Sequence, residues 1–194
     1  MTESEMIEKL RLTQKERRFN HTLGVVAEAE KLAPLFGVDV KKARVTALLH
    51  DCAKNLDEKT EYTFPQLCEK YGVELDEYAQ REKALVHAFL GAAVAKADYG
   101  VEDSEILDAI YYHTTARADM SPLEKLIYIA DMTEAGRTME QAEEIRTLVE
   151  KDTDEALAYA IGCSIKHVIR KGTLIHPDSV SARNYIIEHR RAKS

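Results

Sequence analysis

With 194 residues, 45% of them hydrophobic and 31% charged, the chain has the make-up of a globular protein able to bury a substantial core. Its net charge of −7 would repel a nucleic-acid duplex, and no basic arm offsets it, the tail "EHRRAKS" being too short for that role. No apolar run approaches the ~20 residues of a membrane span, and the charged start "MTESEMIEKLRLTQKERRF" has no apolar signal-peptide core, so a cytoplasmic protein is expected.

In chain order, the pattern is helical throughout. A first helix is expected from about Asn20 to Phe36, with Leu23, Val26, Ala27, Glu30 and Ala33 on one face. Asp39 caps a second, "VKKARVTALLHD", whose stripe is Val40, Ala43, Ala47 and Leu48. Thr63 and Pro65 start a third that runs to Gly72. A fourth covers about Glu82 to Tyr99, with Leu85, Phe89, Ala92, Ala93 and Lys96 in register, and a fifth about Asp103 to His113. "SPLEK" is the clearest start of all: Ser121 as N-cap, Pro122 at N1 and Glu124 completing a capping box. Its helix is apolar through Leu126, Ile127, Ile129 and Ala130. Further helices are expected at about 139–151, 153–170 and 181–191. β-branched alternation is nearly absent, and no repeat or low-complexity linker divides the chain, so one all-α domain spanning 1–194 is expected. Cys52, Cys68 and Cys163 form no CxxC pair, which argues against a disulfide framework or a thiolate zinc site. The apolar positions of the terminal helices leave open a homodimer face or completion of the core.

Of the seven histidines, four sit inside or at the edge of apolar helical stretches: His21 in "RFNHTLGV", His50 in "ALLHDCA", His87 in "ALVHAFLGA" and His113 in "AIYYHTT". Asp51 adjoins His50, and Asp131 closes the apolar run "LIYIADMTE" in the same way. A single such histidine is most often a satisfied core residue. Buried carboxylates, however, need partners or a metal, and a helical bundle can aim groups from several helices at one point. Imidazole and carboxylate without thiolate suit first-row divalent cations. Six such groups exceed one tetrahedral site, so the natural reading is two metals sharing a carboxylate, an arrangement that activates a hydroxide for in-line phosphoryl displacement.

The order of these motifs resembles the HD-domain superfamily of metal-dependent phosphohydrolases. The blocks "RFNHTLGV", "HDCAKNL", "LVHAFLGA", "AIYYHTTARADMSPLEKLIYIADMTEAGR" and "IHPDSVSARNYI" are similar to those of the bacterial YqeK family over residues 17 to about 187. That resemblance implies an all-helical HD fold with bound iron, manganese or cobalt being alternatives. It also implies symmetrical hydrolysis of diadenosine tetraphosphate to two ADP. Carried over residue by residue, His21, His50, Asp51 and Asp131 would hold one metal, and Asp51 would bridge to a second held by His87 and His113. The chain departs from the family at Ala116 and Asp119, where glycines are usual, and at Ala135, where a proline is usual.

A polyphosphate needs further cations. Lys54 lies four residues past His50 and projects from the same side, and Arg137 follows Asp131 in a turn whose Gly136 backbone could approach phosphate. Arg117 and Lys83 flank the His113 and His87 blocks. Lys54, Lys83, Arg117, Gly136 and Arg137 are therefore the expected substrate contacts, with Asp51, Lys54 and Arg137 carrying the chemistry. Glu134 is open to two readings, a hydrogen bond to a ligating histidine or a surface position. Arg183 and Asn184 suit structural roles, and His167, His176 and His189 lie outside the site. The ligand pattern alone leaves open other HD-type substrates, namely deoxynucleotides, cyclic nucleotides or guanosine polyphosphates, and a module that binds metal or nucleotide without turnover.

Overall fold

The computed structural model describes residues 1–193, and among these all regular secondary structure is helical. The helices are α1 (Glu3–Thr13), α2 (Glu16–Phe36), α3 (Val40–Leu49), α4 (Leu56–Lys59), α5 (Phe64–Tyr71) and α6 (Lys83–Tyr99). They are followed by α7 (Ser104–Tyr112), α8 (Pro122–Thr133), α9 (Glu140–Val149), α10 (Thr153–Lys171) and α11 (Pro177–Lys193). Local chemistry sets their starts. Ser121 accepts the Glu124 amide while the Glu124 carboxylate accepts the Ser121 amide at 2.6 Å, launching α8. Thr63 and Gln66 do the same for α5, and Asp39 accepts the Lys42 amide at the head of α3.

Two helices were not expected. α1 lies in a stretch read only as charged, yet Thr2 and Glu5 form a capping box, and Met6 and Leu10, one turn apart, are buried. The single-turn α4 follows the tight run after His50. α2 begins at Glu16, earlier than Asn20, and α11 at Pro177, earlier than 181, both lengthened by one turn.

The inward face of α2 also differs from the expected one. Leu23, Ala27 and Glu30 are exposed, and Thr22, Val25, Val26, Ala29, Leu32 and Ala33 are buried. The helix is rotated so that His21 turns toward α3 and α8, and the buried stripe follows that rotation. α6 likewise buries Val86, His87, Leu90 and Val94 more completely than Leu85, Ala92 and Ala93, and Lys96 is exposed.

α2 packs against α3 and α8, α7 touches α3, α6 and α8, and α10 lies between α9 and α11. One apolar cluster runs through these contacts from Met6 to Ile186, with Leu48, Leu49, Leu126, Ile127 and Ile129 fully enclosed. Each such side chain contributes about 1.5–3 kcal/mol relative to exposure. The terminal helices contribute Met6, Leu10, Ala182 and Ile186 to this cluster. Among the described residues no helix is long and apolar enough to cross a membrane.

Candidate metal centre

Five helices deliver the polar groups. His21 stands on α2, His87 on α6 and Asp131 on α8, while His50 and His113 are the C-cap residues just past α3 and α7. Past His50 the chain continues in tight turns, with the Cys52 amide bonded to Leu49 and the Lys54 amide to Asp51. Neighbours on a helix point about 100° apart. Here both His50 and Asp51 reach the same point, His50 Nε2 lying 3.5 Å from Asp51 Oδ2, and the turns end at Asn55 in a left-handed conformation (φ 60°). Gln14 donates to the Asp51 carbonyl and is itself held by Thr22, which fastens this turn from beneath.

The Asp51 carboxylate is shared between two pairs of histidines. Its Oδ2 lies 3.5 Å from His50 Nε2 and 3.9 Å from His21 Nε2, and its Oδ1 lies 3.1 Å from His87 Nε2 and 3.6 Å from His113 Nε2. The Nε2 atoms of His87 and His113 are 3.2 Å apart. Two donor sets result, His21–His50–Asp51 and Asp51–His87–His113, each compact enough to hold a metal ion. Asp131 Oδ1 stands 3.0 Å from His21 Nε2, against the first set.

The tautomers follow from the partners. His50 Nδ1–H donates to the Ala47 carbonyl at 2.6 Å and His113 Nδ1–H to that of Ile110 at 2.7 Å. His21 Nδ1–H donates to Glu134 Oε1 at 3.1 Å. Carbonyls and carboxylates only accept, so these three rings present Nε2 lone pairs to the carboxylate oxygens. Lone pairs facing anionic oxygens call for a proton or a cation between them. His21 Nε2 and His50 Nε2 are buried and have no hydrogen-bond partner. The donor set therefore fits a divalent cation on its own chemistry.

Electrostatics reinforce this. Burial opposes charge on Asp51, but the positive charge that a proton brings to His50, together with the imidazole nitrogens of His113, His50 and His87 around the carboxylate, outweighs it and holds the carboxyl well below its usual range. Asp131 is depressed likewise, against burial, by His21 and by the charges of His50 and Arg137. His50 is raised despite burial because Asp51 adjoins it. Burial pushes His87 down to about 4, which keeps its ring neutral.

Glu134, buried, is a bracket for His21. Its Oε2 accepts the Gly136 amide at 2.6 Å. A Cβ on Gly24 would stand 2.6 Å from that oxygen, and one on Gly136 would stand 2.9 Å from Oε1. Both positions lack side chains because the carboxylate fills the space. The Gly136 amide is thus engaged by Glu134 rather than presented outward. Arg146 secures the turn by donating to the carbonyls of Thr133, Glu134 and Arg137, a role invisible to sequence reasoning.

Beside the centre opens a cavity of about 660 Å³, lined by residues of α2 and the one before it, from Lys15 to Gly24, by Asn55 and by the turn 134–137. Its walls carry four basic side chains and one carboxylate, opposite in sign to the molecule as a whole. Arg18 donates to Asp51 Oδ2 at 2.5 Å and Arg137 to Asp131 Oδ1 at 2.7 Å. Arg18 escaped the sequence reading, although it lies one turn before His21 on the same helix. Lys54 Nζ, its charge disfavoured by burial, lies 3.1 Å from His87 Nε2. The other two expected cations are engaged elsewhere. Lys83 pairs with Asp57 at 2.7 Å, and Arg117 with Glu124 and Asp108 at 2.8 and 3.0 Å; neither lines the cavity.

A helical bundle that gathers histidines and aspartates from five helices around a shared carboxylate defines an HD domain, a class that binds divalent metal. The HD-domain family model matches residues 18–136. The symmetrical bis(5'-nucleosyl)-tetraphosphatase of Bacillus subtilis is 37% identical over 172 residues, 89% of this chain and 90% of that one, and its namesake in Halalkalibacterium halodurans is 35% identical over the same length. A crystal structure from Clostridium acetobutylicum, titled a predicted HD superfamily hydrolase involved in NAD metabolism, superposes with a TM-score of 0.89. It shares 38% identity and the match covers 97% of this chain and 98% of that one. The chain belongs to the HD-domain family, in the branch of relatives named symmetrical bis(5'-nucleosyl)-tetraphosphatase.

Proposed function

We propose that the protein hydrolyses dinucleoside tetraphosphates, diadenosine tetraphosphate first among them, symmetrically into two nucleoside diphosphates. The observation that carries this reading is the Asp51 carboxylate, each oxygen facing a different histidine pair, at the edge of a basic cavity. His21, His50, Asp51 and Asp131 would hold one divalent cation, and Asp51, His87 and His113 a second. Iron is the preferred ion, and manganese or cobalt suits the same nitrogen and oxygen donors. When bound, such a pair supplies a nucleophilic hydroxide at neutral pH and polarises the phosphoryl oxygens.

The protein's own groups do the rest. Arg18, Arg137 and Lys54 offset the charge of the inner phosphates, the guanidiniums by bidentate contact and the lysine as a point charge. Arg17 and Lys15 at the rim neutralise the outer phosphates of the second nucleotide half. A volume of about 660 Å³ suits a nucleotide. Glu134, through His21 Nδ1–H, and the Ala47 and Ile110 carbonyls, through His50 and His113, keep the Nε2 atoms aimed. No covalent protein intermediate is needed. Cys52, the nucleophile nearest Asp51, is buried, its Sγ–H donates to the Gly91 carbonyl, and burial raises its thiol. The single apolar cluster from Met6 to Ile186 supports treating 1–194 as one domain, and three free cysteines suit the cytoplasm.

The test is chromatography of products from diadenosine tetraphosphate, using protein purified without oxygen and loaded with ferrous iron or manganese. ADP alone, absent with a His50→Ala, Asp51→Ala variant, is the expected result. ATP with AMP would refute symmetrical cleavage, and no product would refute the substrate.

A further inference from the structure

The segment 174–185 lies beyond the residues matched by the HD-domain model, and nothing in the site described above uses it. Its hydrogen bonds nevertheless run to the stretches that precede His87 and follow His113. The Leu174 amide donates to Oε1 of Glu82, the residue that caps α6. His176, buried, donates Nε2–H to Asp76 at 2.7 Å and accepts the Asp178 amide at Nδ1. Its ring lies against Phe89 (6.3 Å), which meets Tyr111 edge-on at 4.5 Å. Phe89 is two residues past His87 on α6, and Tyr111 is two before His113.

The other end of the segment reaches the turn that follows His113. Ser179 donates to the Thr115 carbonyl at 2.8 Å and Tyr185 to the Asp119 carboxylate at 2.8 Å. In that turn Ala116 and Asp119 hold φ of 60° and 56°, a region residues with side chains avoid, so the turn depends on contacts from outside itself. Among the described residues, none of the segment's side-chain hydrogen bonds reaches α2, the turn after His50, or α8.

We propose that residues 174–185 form a positioning strap, which sets the aim of His87 and His113 and thereby the cation affinity of that half alone. The proposal rests on the two-cation reading. Metal–ligand distances tolerate only about 0.2 Å of error, and loss of outer partners typically costs 10–100-fold in metal affinity.

The experiment is calorimetric titration of metal-free protein with Mn²⁺. The unaltered chain is expected to bind two ions. His176→Ala should weaken one of them 10–100-fold and leave the other unchanged, and His176→Gln, which keeps an N–H toward Asp76, should recover part of the loss. Combined with His87→Ala the change should add nothing, whereas combined with His50→Ala it should weaken the one ion that still binds by the same 10–100-fold. Ser179→Ala, expected to weaken the same ion several-fold, serves if His176→Ala does not fold. Equal loss at both ions, or no loss, would overturn the strap. One ion bound by the unaltered chain would instead overturn the two-cation reading, and the strap with it.

Discussion

The two halves of the centre share one carboxylate but live in different surroundings. On the first side, His21 retains 11% of its side-chain exposure and faces a cavity walled by Arg17, Arg18 and Arg137. On the second, His87 and His113 are only 3% and 1% exposed, their rings edge-on at 5.1 Å and His87 beside Lys54. In the first half the Glu134 carboxylate holds His21 and the Ala47 carbonyl holds His50, whereas in the second the Ile110 carbonyl holds His113. The contrast teaches how such a site divides its work: one half is open to a polyanion, and the other is enclosed so that its ligands stay fixed.

The largest effect should come from removing what the halves share. Asp51→Ala is expected to lower kcat/KM on the order of 10³-fold or more and to abolish uptake at both donor sets, measured by steady-state assay and by metal content after desalting. Retained uptake of one ion would break the symmetry drawn here. Next comes the bracket on the open side. Gly24→Ala places a methyl where Glu134 Oε2 sits, and Glu134→Ala removes the bracket; each should cost about 10–100-fold in metal affinity at the His21 half, visible in Mn²⁺ titration. Equal weakening of the His87 half would dissolve the distinction.

The rim should respond more mildly. Arg17 is exposed, and truncation to alanine should raise KM about three- to fivefold with kcat unchanged, the difference fading at high salt. A fall in kcat would move Arg17 from the rim into the chemistry. The smallest effect lies behind the closed half. Asp76 is held below the usual carboxylate range, against burial, by the Ala79 amide and His176. A carboxyl depressed in the folded state stabilises above its unfolded value of about 4, and that stability is lost as pH falls through the lower folded value. The gap in urea midpoint between the natural chain and Asp76→Asn should therefore be full at pH 6 and close toward pH 2. A gap unchanged with pH would show that the charge on Asp76 contributes nothing.

Legibility in the sequence followed the range of the interaction. Ser121–Glu124 and the Asp39 cap are contacts three residues apart, and with Thr63 and Pro65 they announced helix starts that the structure reproduces. α1 was missed because its two anchors, Met6 and Leu10, are sparse among charges, and only packing against α2 and α3 makes them a face. The histidine and aspartate cluster was legible because polar groups closing apolar runs on several helices have few physical explanations other than convergence. Arg117 and Lys83 were read as substrate contacts from proximity in sequence, but proximity does not count the carboxylates that Glu124, Asp108 and Asp57 bring from elsewhere.

The sequence by itself determined the helical class, most helix starts, and the identity of the six groups drawn to one point, since these depend on periodicity, capping and residue chemistry. Only the tertiary structure decided which oxygen of Asp51 faces which histidine pair, that Arg18 joins the centre, and that Gly24 and Gly136 yield their space to Glu134. Those outcomes depend on the rotation of α2 against α3 and α8. That rotation is set by packing among segments up to a hundred residues apart, which no local pattern encodes.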